Sequence, residues 1–102
     1  MQANDLRVAV LLTIQAALLG AIGPDVRKIL CRWNVSEIRV RAVFDDPISE
    51  DDAELMSVVE TEIMAGFPSH DISLVCERHD APQPIPGRDD ERAVFARLEA
   101  ST

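Results

Sequence analysis

The side chains with the most evident chemical potential lie together in "FDDPISEDDAELMSVVETE", residues 44 to 62. Asp45, Asp46, Glu50, Asp51, Asp52, Glu54, Glu60 and Glu62 are acidic, and the stretch holds no lysine, arginine or histidine. Paired carboxylates serve as general acid and base only when their surroundings push two pKa values apart. Consecutive Asp51 and Asp52 in a polar stretch are hydrated alike, so acid–base catalysis finds no support. The remaining use is electrostatic. The chain has 18 acidic and 10 basic residues, a formal net charge of −8; without these eight carboxylates, 10 acidic face 10 basic. All of the net charge thus sits in about a fifth of the chain. No lysine stands at i+4 of any of the eight, where it would add ~0.2–0.5 kcal/mol. A start of a helix explains Glu50, Asp51 and Asp52, which meet the positive end of its dipole. It does not explain the rest. Uncompensated charge of this kind suits capture of a basic protein surface, because complementary fields raise association rates.

Other chemistry is sparse. Ser36, Ser49, Ser57, Ser69 and Ser73 lack the glycines of a nucleophile elbow, and no Gly-rich phosphate loop is present. His70 and His79 are each followed by aspartate, and neighbours on a strand point to opposite faces, so neither pair makes a metal bite. Cys31 and Cys76 lie in apolar, strand-like contexts and read as free thiols in a reducing compartment. One tryptophan, three phenylalanines and no tyrosine offer no stacking platform for single strands. A pI near 4.5 opposes nonspecific affinity for nucleic acid or anionic membrane. The chain is therefore read as no enzyme, with no cofactor and no metal.

The elements that must position the carboxylates follow from periodicity. A helix is expected from about Asn4 to Leu19, capped by Asn4 or Asp5 and stopped at Gly20, with Leu6, Val10, Ile14, Ala17 and Leu18 on its core face. Its apolar surface is wide, which suits deep packing or a partner on the second side. The run is too short for the ~20 residues of a membrane span, and it has no signal-peptide flanks. From residue 26 the period falls to two. Ile29, Cys31, Trp33 and Val35, then Ile38, Val40, Ala42 and Phe44, point inward, while Lys28, Arg32, Arg39 and Arg41 collect outside. These form an antiparallel hairpin. Ser49 caps a second helix whose core stripe is Leu55, Met56, Val59, Ile63 and Phe67, ended by Gly66 and Pro68. "DISLVCERH" is a third strand and "APQPIPG" an extended connector. "RAVFARLEA" is compatible with strand or helix, and Val94 and Phe95 favour a strand completing the sheet. The expected fold is α+β: one domain over residues 1–102, in the order α-β-β-α-β-β. Its four-stranded antiparallel sheet carries both helices on one face.

"ALLGAIGPDVRKI", the acidic run itself and "RHDAPQPIPG" resemble a family of small bacterial toxin-immunity proteins, among them those of contact-dependent growth inhibition and similar polymorphic toxin systems. The resemblance spans roughly residues 16 to 98, and its most specific part is I-S-E-x-D-x-E-L followed by T-E-I-x-A-x-F-P. It implies a cytoplasmic protein that binds and blocks a cognate toxin domain. Nuclease toxins are basic because their substrates are phosphate polymers, which agrees with the charge argument. Asp45, Asp46, Glu50, Asp51, Glu54 and Glu62 are the expected docking residues, since they lie off the core stripe while Asp52 serves the cap. The competing expectation is a structural or regulatory subunit that homodimerises through its first helix or a sheet edge.

Overall fold

The computed structural model describes residues 2–99. The elements come in the expected order: α1 (Ala3–Leu18), β1 (Val26–Trp33), β2 (Glu37–Phe44), α2 (Glu50–Gly66), β3 (Asp71–Arg78) and β4 (Arg92–Ala96). Residues 92–96 are therefore a strand. The N-cap of α1 is Gln2, not Asn4 or Asp5, and it makes no side-chain cap bond. Gly20, at φ 78°, takes the left-handed conformation that turns the chain away after α1.

The sheet corrects one expectation. Its strand order is β3-β2-β1-β4, with β1 antiparallel to both β2 and β4, but β2 and β3 run parallel. The sheet is mixed, not antiparallel. The cause is the connection between β2 and β3. Seventeen helical residues span about 25 Å at 1.5 Å each, close to the ~26 Å of an eight-residue strand. Helix α2 therefore carries the chain back to the end where β2 began, and β3 must set out in the same direction.

Both helices cover one face. Leu6, Val10, Ile14, Ala17 and Leu18 of α1, with Met56, Val59 and Ile63 of α2, pack on Ile29, Cys31, Ile38, Val40, Ala42 and Phe44. Gly66 lets the helices meet closely, since a Cβ there would lie 3.0 Å from Thr13 Cγ2. Val26 joins this core despite its odd offset from Ile29. Pairing shifts by one residue between Val26 and Lys28, and that bulge reverses the side-chain alternation. Trp33 faces the core as expected but is only half buried at the strand end, with the Arg92 guanidinium 5.8 Å from the ring centroid. Val35, expected on the same face, lies beyond the end of β1 in the turn and is 85% exposed. Leu55 is a further correction, because its side chain is 38% exposed. Leu55, Met56, Val59 and Ile63 span an arc of about 100° on the helix, and Leu55 stands at its outer margin, beside the exposed row of Val58.

The opposite face is not a bare basic surface. β3 and β4 lie at opposite edges, so residues 79–91 must cross the sheet, and they do so on the side away from the helices. Leu30 and Val43 are buried there, outside the main core cluster. Arg41 is 3% exposed and is held beneath the crossing chain.

Candidate partner-binding surface

Why the acidic stretch stays unneutralised is decided by where the arginines go. Arg41 donates from Nε and Nη2 to both oxygens of Glu91 (2.8 and 2.6 Å), from Nη1 to Glu77 (3.0 Å) and from Nη2 to the Pro86 carbonyl (2.7 Å). Arg27, the bulge residue, grips Glu99 through two bonds (2.8 and 2.9 Å) and donates to the carbonyls of His79 and Gln83. Arg39 bridges Glu37 and Asp71, Arg32 reaches Glu37, Arg78 pairs with Asp80, and Arg88 with Glu77. Arg92 lies over Trp33. Among the described residues, seven of the ten lysines and arginines thus pair with carboxylates, mostly those of the sheet, its connector and the segment after β4.

These pairs set the protonation of the sheet. Hydrogen bonds from Arg27 and Arg97 hold the Glu99 carboxyl down to about 2. Arg41 lowers Glu91; at Glu77 burial pushes upward most strongly of the single causes, but Arg41 and Arg88 together hold the carboxyl below its usual range. Burial pushes the Cys31 thiol up to about 11 and raises Cys76 as well, as expected of inert free thiols. His79 Nε2 stands 3.4 Å from Glu77, whereas the His70 ring meets Phe67 edge-on at 5.1 Å.

Helix α2 is built differently. The Ser49 hydroxyl accepts the Asp52 amide (3.0 Å), which caps the first turn, and Glu50, Asp51 and Asp52 sit at the positive end of the dipole. Met56, Val59 and Ile63 turn inward. Glu50, Asp51, Glu54 and Glu62 are all exposed on the outer surface. None of these four enters an ion pair among the described residues. Glu60 points to the other flank, where its carboxylate accepts the Leu74 amide of β3 (2.7 Å). Of the eight carboxylates only Asp45 is ion-paired among the described residues, with Arg97 at 3.0 Å.

Asp45 and Asp46 occupy the corner between β2 and α2. Asp45 also accepts the Ala81 amide, and both contacts hold its carboxyl below the usual range. The Asp46 amide donates to Asp80. Oxygens of Asp45, Asp46 and Asp80 come within 4.8 Å of one another, the one grouping among the described residues that could approach a cation. Arg97 and Arg78 already neutralise two of its three members. The six expected docking residues therefore fall into two places: Glu50, Asp51, Glu54 and Glu62 along α2, and Asp45 with Asp46 at its entrance. Of the apolar residues between the former, sequence reasoning placed Leu55 in the core stripe and passed over Val58. Leu55 and Val58, 38% and 50% exposed, line a shallow depression with Asp51 and Glu54. Their spacing of three, one turn off the inward stripe, was the available signal.

No helix among the described residues is long and apolar enough to cross a membrane. A family model described as MafI2 immunity protein matches residues 7–99, nearly the whole chain. No curated protein matches it.

Proposed function

The chain belongs to the MafI2 immunity protein family, and on that premise we propose that it neutralises a basic toxin domain, a nuclease, by presenting an acidic surface in the cytoplasm. Membership of an immunity family implies binding a cognate toxin. The observation that carries the finer reading is the segregation of charge. The sheet pairs its arginines internally, while Glu50, Asp51, Glu54 and Glu62 stand on α2 with no ion-pair partner among the described residues. Nothing in the fold needs that repulsion, and a phosphate-binding groove on a nuclease is the kind of surface it would match.

Such a protein acts by occupation rather than by turnover. An acidic helix seated in a basic groove excludes the nucleic acid that would otherwise lie there, and no bond is made or broken. Exposed α2 carboxylates provide the field, with Asp46 at the margin. Asp45 contributes less, because Arg97 already holds it. Delivery by contact-dependent growth inhibition or a related system would bring the toxin of a sibling cell to the same compartment.

Co-expression tests the reading. Cells producing the toxin domain encoded at the same locus should regain growth when this protein is made, and the purified pair should form a stable complex. Added in equimolar amount, the protein should stop degradation of nucleic acid by that domain. A toxin that neither binds nor is inhibited would overturn the assignment.

A further inference from the structure

We infer that the docking surface is the outward stripe of α2, with Leu55 and Val58 as a desolvating centre and Asp51, Glu54 and Glu62 as its charged rim. This inference rests on the toxin-neutralising reading and names the face and the chemistry of its partner. Asp51, Leu55, Val58 and Glu62 succeed one another at helical intervals of four, three and four residues, so they line one side of the helix. Glu54 stands on the adjoining row. The two apolar side chains are large and half exposed in the middle of unpaired carboxylates. A helix face that served only to keep the protein in solution would not need an aliphatic pair there.

The composition matches the usual anatomy of a recognition surface, an apolar centre ringed by polar groups that exclude water. It also defines the occupant. Charge complementarity calls for cationic side chains opposite Asp51, Glu54 and Glu62, and the depression between Leu55 and Val58 calls for an apolar group projecting from among them. The fit is to a basic toxin domain whose phosphate-binding groove also presents an apolar side chain. The exposed apolar row on α1, Val8 and Leu12, lacks such a rim, since its one acidic neighbour at helical spacing is Asp5, three residues before Val8, and Leu12 has none. It is therefore the natural control face.

Two roles predict two kinetic signatures. Rim charges act before contact and set the association rate, whereas a desolvated centre sets how long the complex lasts. The experiment measures binding of the purified, inactivated toxin domain from the same locus to four proteins over a range of salt. These are the unaltered protein, Leu55→Ser with Val58→Ser, a triple reversal of Asp51, Glu54 and Glu62 to lysine, and Val8→Ser with Leu12→Ser. All altered residues are exposed, and circular dichroism checks each fold. The apolar pair should raise the dissociation rate by about tenfold or more with little change in association. Triple reversal should slow association by about tenfold or more at low salt and remove its salt dependence. The α1 pair should behave as the unaltered protein.

Toxin binding that survives both α2 variants unchanged would remove this face from the interface and leave the immunity reading standing. A dissociation rate raised only by the α1 pair would move the dock to α1. A homodimer that the Leu55 and Val58 changes dissolve, with toxin binding intact, would assign the stripe to a second copy instead. Failure of the unaltered protein to bind the toxin would remove both readings.

Discussion

Arg41 is the residue whose role the sequence least advertises. Alternation along β2 places it outside, where an arginine is ordinarily solvated, yet the connector closes over it and leaves 3% of the side chain exposed. Glu91, its bidentate partner, is 7% exposed. Burying two charges is costly and repaid only by good geometry and further hydrogen bonds, which Glu77 and the Pro86 carbonyl supply. Arg41→Ala should then lower stability by ~3–5 kcal/mol, because it strands two carboxylates under the connector. A shift in the urea midpoint reads this directly, and joint replacement of Arg41 and Glu91 by leucine should recover part of the loss. Trp33 shows the reverse case. An aromatic ring that aligns with the core can still lie too near a strand end to be enclosed, so its truncation should cost less than the ~3–5 kcal/mol of a fully buried one.

At the scale of elements, β3 is the exposed edge of the sheet, and an unpaired edge invites association with another chain. In its parallel ladder the Asp71 amide donates to Ser36 and the His79 amide to Phe44, so odd-numbered residues face β2. The amides of the even-numbered residues consequently point outward. Glu60 reaches from α2 and takes the one at Leu74. One of the eight acidic residues is thus a structural device, blocking the edge at its middle. Glu60→Ala should weaken the protein by ~1.5–3 kcal/mol, the usual worth of a hydrogen bond to a charged group. Hydrogen exchange at the Leu74 amide should accelerate while the Asp71 amide changes far less. Equal acceleration at both sites would mean that the whole strand loosens and that Glu60 has no local role.

Taken as a whole, the molecule has two electrostatic halves. Sheet, connector and the segment after β4 are knitted by arginine–carboxylate pairs, and the outer surface of α2 is left anionic. The first half makes stability depend on pH in a definite direction. Glu99 is held at about 2, and Glu91, Glu77, Asp45 and Asp80 are also held below their ordinary values by arginine partners. A carboxyl lowered by folding contributes stability that is complete above its unfolded value, near 4 to 4.5, and is lost as pH falls toward the folded value. Chemical denaturation should therefore give a plateau above about pH 5 and a steady decline between about pH 4.5 and 2. A midpoint that rises on acidification through that window would show that these pairs do not stabilise the fold.

Period, caps and composition determined a good deal without any tertiary information. The six elements and their order, the Ser49 cap, the free thiols and the isolation of charge in residues 44–62 all follow from local physics: a two- or three-and-a-half-residue repeat, a hydroxyl before a helix, an imbalance of side chains. The resemblance to immunity proteins was carried by the same acidic run. Tertiary structure decided the rest. The length of α2 against the strands makes β2 and β3 parallel, and a one-residue bulge brings Val26 inward. Opposite placement of β3 and β4 sends the connector over Arg41. Which carboxylates are free depends on which arginines can reach them across the chain, as in Arg97 with Asp45, 52 residues apart, and Arg27 with Glu99, 72 apart. Spacing along the chain gives no measure of such distances, because packing closes them only once the sheet has formed.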